Sequence, residues 1–209
     1  MALENSLLAQ LSAKCQSFVG ISASANLFML ENKLKLWTVG HSTRPIEEFV
    51  EALRSFEIKV LIDVRSFPGS RRCPQFNQEQ LNASLAEAGI QYQHFPELGG
   101  RRRVRPDSIN VAWRNESFRG YADYMDTEDF RGGITRLLDV ARARRTAIMC
   151  AEAVWWRCHR SMISDYLRAK GIEVNHIMGA GKSEPHPFTS AARIVNGELS
   201  YRGVFAGES

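Results

Sequence analysis

A strand, a helix and a second strand in immediate succession constrain this chain more than any other feature. "LKLWTVGHS" (34–42) is an alternating apolar segment that ends on Gly40, His41 and Ser42. "RPIEEFVEALRSFEI" (44–58) follows, with Ile46, Phe49, Val50, Leu53 and Phe56 at helical spacing. "KVLIDVRSFP" (59–68) is a buried-type strand closed by Asp63, Arg65 and Pro68. Parallel strands need such a crossover, so a β-α-β unit of this kind commits the domain to a parallel sheet.

The remainder repeats the alternation. "NQEQLNASLAEAGI" is expected to be a helix, "QYQHFPELGG" a short strand into a turn, and "RRRVRPDSINVAWRNESFRGYADYMDT" a long polar and aromatic loop from which "FRGYADYM" starts a helix. "EDFRGGITRLLDVARARR" and "RSMISDYLRAKG" are further helices; "TAIMC" and "IEVNHIMG" are strands. The expected fold is α/β, a three-layer sandwich with a mainly parallel sheet and helices on both faces. Residues 35–209 are read as a single domain, and 1–34 as a partly helical N-terminal extension. A hydrophobic fraction of 44% suffices for a real core. No apolar run approaches the roughly 20 residues that span a bilayer. The start, "MALENSLLAQLSAKCQSF", lacks a basic segment followed by an apolar one. Cys15, Cys73, Cys150 and Cys158 are scattered apart from the last two. The expectation is a cytoplasmic chain with reduced thiols and no membrane partner.

Ligands of open parallel sheets bind beyond the carboxyl ends of the strands. Here those ends carry Gly40, His41 and Ser42; Asp63 and Arg65; Cys150 and Glu152; and Gly179, Gly181 and His186. Asp63 and Arg65 equally suit a structural pair. The densest stretch is "CAEAVWWRCHRS" (150–161), a strand end running into a helix that begins around Cys158, His159, Arg160 and Ser161. A helix start favours anions and lowers the pKa of a cysteine placed there. Three chemistries compete for it. A thiol enzyme is one: the order strand, Cys, loop, Arg-Ser, helix looks like the rhodanese sulfurtransferases. Its loop is longer than their anion cradle, however, and Trp155 and Trp156 would have to fold away. A metal site from Cys150, Glu152, Cys158 and His159 uses legitimate ligand types at a spacing that matches no usual zinc pattern, so no metal or other cofactor is assigned. A nucleotide or nucleic-acid site is the third, with arginines on phosphate and Trp155, Trp156 or Phe76 stacking on a base. The net charge of +4 and the arginine-rich loops "SRRCPQF" (Arg71, Arg72) and "GGRRRVRP" (Arg101, Arg102) favour that reading.

"TVGHS", "LIDVRSFPGSRRCPQFN", "FPELGG", "YADYM", "CAEAVWWRCHRSMISDYL" and "GIEVNHI" together resemble the family called domain of unknown function 488, in matching order over residues 35 to 180. The resemblance implies an α/β sandwich and no particular activity. It marks Gly40, His41, Ser42, Asp63, Arg65, Cys150, Glu152, Cys158, His159 and Arg160 as hallmark positions, and Tyr121 lies in its "YADYM" motif. The expected site therefore has Asp63, Cys150, Glu152, Cys158 and His159 as its chemistry. Gly40, His41, Ser42, Arg65, Arg71, Arg72, Arg101, Arg102, Tyr121 and Arg160 form its ligand-binding wall. Glu152 or Asp63 would be the base, His159 or His41 the proton donor, and Cys150 or Cys158 a nucleophile if the reaction is covalent. The expected function is binding or acting on a phosphate-bearing ligand such as a nucleotide or nucleic acid. The alternatives are a cysteine-dependent enzyme of sulfur transfer or thiol redox, and a non-catalytic interaction protein.

Overall fold

The computed structural model describes residues 34–203. The helix expected in the N-terminal extension lies outside them. Strands β1 (Lys35–Gly40), β2 (Val60–Asp63), β3 (Gln91–His94), β4 (Thr146–Cys150) and β5 (Glu173–Gly179) run parallel in the order β3-β2-β4-β1-β5. β6 (Lys182–Pro185) adds an antiparallel edge beside β5. A separate hairpin pairs β7 (Arg193–Val195) with β8 (Glu198–Ser200). Helices α1 (Ile46–Arg54), α2 (Gln78–Glu87), α3 (Glu116–Met125), α4 (Glu128–Ala143) and α5 (Arg160–Ala169) supply the crossovers. The chain is thus an α/β protein with a mainly parallel sheet.

Alternate strand residues feed two separate cores. Trp37, Val39, Leu61, Ala147 and Met149 pack with Phe49, Ala52 and Leu53 of α1 and with Leu81 and Leu85 of α2. Leu36, Val60, Ile62 and Ile148 point the other way, against Phe130, Ile134 and Leu137 of α4 and Met162, Ile163 and Leu167 of α5. The period of two in a strand sends neighbours to opposite faces, and both faces are covered. Each fully buried Leu, Ile or Phe stabilises by about 2 kcal/mol. A polar side chain survives in such strands only when paired, as Thr38 and Asp63 are.

The connections explain where a cleft opens. The chain leaves β1 into α1 on one face and leaves β4 into α5 on the other, although β1 and β4 are neighbours with Gly40 beside Cys150. Connections departing to opposite faces leave a crevice at the carboxyl ends of adjacent strands. Among the described residues, no helix is long and apolar enough to cross a membrane.

Candidate functional site

The end of β4 turns sharply, and Gly40 makes room for the turn. A Cβ on Gly40 would lie 1.9 Å from the Glu152 carbonyl oxygen, which only glycine avoids. The turn is tied to β1 by His41 and Ser42, whose N–H groups donate to the Cys150 and Ala151 carbonyls at 3.1 and 2.9 Å. Trp155 then folds away from the cleft, stacked on His176 with ring centroids 4.4 Å apart. The chain returns to Cys158, and α5 begins at Arg160 with His159 as its N-cap. Cys158 therefore precedes the helix and does not lie in its first turn.

This path brings Cys150, Cys158 and His159 together. The two sulfurs and Nδ1 of His159 all lie within 4.8 Å of one another, and all three residues are buried. Nδ1 is 3.6 Å from Cys158 Sγ and 3.9 Å from Cys150 Sγ. His159 Nε2 lies 3.1 Å from the Val64 carbonyl. A carbonyl only accepts, so Nε2 carries a proton and donates it to Val64, and Nδ1 is the nitrogen that faces the sulfurs. Tyr121 packs on the ring at 5.2 Å. A Cβ on Gly100 would meet Nδ1 at 2.4 Å, so the backbone there approaches the imidazole closely.

Arg160, only 1% exposed, holds the cluster from behind. Its Nε donates to Cys158 Sγ at 3.4 Å, one terminal nitrogen to Thr38 Oγ1 at 3.2 Å, and the other to the Glu152 carbonyl at 2.6 Å. Burial pushes the Cys158 thiol up, but the hydrogen bond from Cys150 and the proximity of His159 and Arg160 outweigh it and hold Cys158 well below the ordinary thiol range. Cys150, hydrogen-bonded to Cys158 and buried, is pushed well above that range.

A polar chain continues inward from Arg160. Thr38 Oγ1 accepts from Arg160 and donates to His176 Nδ1 at 2.7 Å. His176 Nε2–H then donates to His186 Nδ1 at 2.9 Å, and His186 Nε2–H to Asp165 at 3.0 Å. Asp165 also accepts from Thr189 N–H, the Thr189 hydroxyl and the Tyr201 hydroxyl. Asp165 fixes the direction of the donors along this chain, because a carboxylate only accepts and an imidazole that donates from one nitrogen accepts at the other.

A cleft of about 510 Å³ opens over the cluster, lined by Cys150, Cys158 and His159 at its floor and by His41, Arg65, Arg101, Glu152 and Arg157 among others. The expected residues divide in three groups. His41, Arg65, Arg101, Cys150, Glu152, Cys158 and His159 line the cleft. Gly40, Ser42, Asp63, Tyr121 and Arg160 sit behind it: Asp63 is fully buried, with one oxygen bonded to Arg65 N–H and Nε and the other to Arg65 at 2.6 Å and Tyr92 at 2.8 Å. Asp63 thus anchors Arg65 and does not reach the cleft as a base. Arg160 likewise spends its donors inside the protein, and Tyr121 is fully buried with its hydroxyl on the Leu98 carbonyl. Arg71, Arg72 and Arg102 are elsewhere, Arg102 stacking 3.6 Å over Tyr124. None of the expected base-stacking residues lines the cleft either: Phe76 is buried against His41, Trp155 is stacked on His176, and the exposed Trp156 is not part of the cleft lining. Phe67 and Phe118 take that place, and Phe67 is 70% exposed. His41 donates Nδ1–H to the Ser42 carbonyl, and burial, outweighing that bond, pushes it down to about 4, so the ring facing the cleft is neutral.

Thr38, His176 and Asp165 were missed as site residues. Each is an unremarkable polar residue in an apolar strand or helix, and only a buried polar position without a nearby partner in the chain would have signalled it.

These observations define a three-layer α/β protein with a thiol–imidazole cluster at the carboxyl end of its central strands. Residues 45–167, more than half of the chain, match the family described as domain of unknown function DUF488, and the chain belongs to that family. The match includes Asp63, Arg65, Cys150, Glu152, Cys158, His159 and Arg160, and stops short of His176 and His186. No curated protein and no solved structure matches the chain.

Proposed function

We propose that the cleft is an active site for a phosphate-bearing ligand such as a nucleotide or a nucleic-acid end, with Cys150, Cys158 and His159 as its reactive centre. One observation carries the reading. The buried cluster forms the floor of a cleft whose wall holds Arg101 and Arg157, both exposed and without an ion pair among the described residues. Phe67 adds an exposed ring, with the Arg101 guanidinium 5.7 Å above it. Free guanidinium groups bind phosphate bidentately, and an exposed aromatic face accepts a base without regard to its sequence. Arg65 and Arg160 play a different part, holding the walls and the sulfurs.

Calorimetric titration with AMP, adenosine and inorganic phosphate tests the ligand class. AMP is expected to bind more tightly than either fragment. The double substitution R101A/R157A should weaken AMP at least about tenfold, since each charge-assisted hydrogen bond contributes about 1.5–3 kcal/mol. Equal affinities for AMP and adenosine overturn the reading. The reactive centre is tested by alkylation: in chelator-treated protein, iodoacetamide should modify Cys158 ahead of Cys73, and AMP should protect it. The thiol-enzyme alternative draws on the Arg160 contact to Cys158 and on Cys150 beside it. It predicts a Cys150–Cys158 disulfide after mild oxidation with diamide, seen as a cross-linked peptide.

A further inference from the structure

We infer that Cys150, Cys158 and His159 bind one zinc ion whose fourth coordination position opens into the cleft. The inference rests on the reading above that this cluster is the reactive centre, and it names what makes the centre reactive.

The geometry is that of a ligand set. With Zn–S near 2.3 Å and Zn–N near 2.0–2.1 Å, tetrahedral donors stand about 3.5 Å apart for a sulfur and a nitrogen and about 3.8 Å for two sulfurs. His159 Nδ1 is 3.6 and 3.9 Å from the two sulfurs, and no pair of the three atoms exceeds 4.8 Å. One imidazole lone pair accepts one proton, yet two sulfurs face it, and a shared cation uses all three donors at once.

The surroundings supply what such a site needs. Metal-bound histidines donate their other N–H to a carbonyl or carboxylate, and Nε2 of His159 does so to Val64. Arg160 Nε donates to Cys158 Sγ, a contact that supports a thiolate ligand. Two thiolates side by side would leave a net negative charge in a buried place, and a divalent ion compensates it. Thiolate and imidazole ligands in a tetrahedral arrangement select zinc over the hard cations.

Three protein ligands leave one position open, which is the pattern of catalytic rather than structural zinc. All three ligating residues line the cleft, as does Glu152, so the open position faces the space in which a ligand would lie. The spacing C-x7-C-H hides the site from pattern reading. Cys150 comes from the end of β4 and the other two from the entry to α5, and only the excursion of residues 151–157 brings them together.

The test uses the full-length chain, freed of metal by chelation under reductant and titrated with cobalt(II). The expected result is stoichiometric uptake with strong visible bands of a tetrahedral site and a near-ultraviolet thiolate-to-cobalt band of two-thiolate intensity, both bleached by zinc. C150S and C158S should each lose about half of the near-ultraviolet band, H159Q should weaken binding at least about tenfold, and C73A should change nothing. Should the serine variants fail to fold, the wild-type band intensity by itself counts the thiolate ligands. A weak octahedral spectrum without the thiolate band overturns the inference, as does a band that persists in the C150S/C158S double variant. Such a result, with AMP still protecting Cys158 from iodoacetamide, removes the zinc and leaves the active-site reading standing. A two-thiolate cobalt spectrum in a protein that binds AMP and adenosine alike does the reverse.

Discussion

Asp63 and Arg65 show how single residues build the cleft from behind. The pair is buried, with Arg65 6% and Asp63 0% exposed, and the guanidinium also bonds the Phe76 carbonyl at 2.8 Å. A buried ion pair contributes little against an apolar replacement, but loss of one partner strands the other charge and costs about 3–5 kcal/mol. Asp63→Asn keeps the shape and removes the charge. Urea denaturation of that variant should show a loss of about 3 kcal/mol in unfolding free energy. An unchanged value would mean that other groups already compensate Arg65. Gly40 acts at the same scale by absence: the space its missing Cβ leaves is where the turn after Cys150 passes.

At the level of elements, residues 105–110 of the long segment 101–115 are pinned to α3 through Asp123. Asp123 is buried and accepts from the Arg105 N–H at 2.9 Å, the Ser108 hydroxyl at 2.6 Å and the Asn110 amide at 2.8 Å. Asn115 caps the same helix through the N–H groups of Ser117 and Phe118. A loop without regular structure keeps a shape only where its backbone groups find partners. Asp123→Ala should therefore raise amide hydrogen exchange at residues 105–110 at least about tenfold while the amides of β1, β2 and β4 stay protected. Uniform acceleration across the sheet would instead make Asp123 part of the global core. Because Arg101 and Asn115 line the cleft from this loop, the same variant should also weaken AMP.

For the molecule as a whole, buried neutral histidines set the response to acid. Burial pushes His41 down to about 4 and, with the nearby His186 and Arg160 adding to it, His176 down to about 2, both from 6.5. The unfolded chain takes up protons on these rings near pH 6.5, whereas the folded chain resists until far lower. More protons bound to the unfolded state means that stability is fully present above about pH 6.5 and is lost as pH falls toward 4. His41 alone accounts for roughly 3 kcal/mol of that loss. Calorimetric unfolding should give a flat Tm above pH 7 and a steep fall between pH 6 and 4. A flat Tm down to pH 4 would show that the rings are charged or exposed in the folded state.

The sequence by itself determined the sheet and much of the floor of the site. Apolar runs such as "VLID" and "TAIMC", the helical spacing of Ile46, Phe49, Val50 and Leu53, and polar residues at strand ends are all local signals. They point to the strand-end edge on which Cys150, Glu152, Cys158 and His159 line one cleft. The role of each arginine was not legible, because it depends on which carboxylate, carbonyl or hydroxyl the fold sets opposite it. Arg65 meets Asp63 and Phe76; Arg160 meets Thr38 and Cys158. Arg101 and Arg157 are left free at the cleft by the paths of two irregular loops. The convergence of two sulfurs on one imidazole nitrogen was likewise decided by tertiary structure. It requires the end of β4 and the entry to α5 to meet across a turn that passes through the space left by Gly40 and is held by His41, Ser42 and Arg160. Periodicity reports what a residue's own segment buries; it carries nothing about partners that other segments bring.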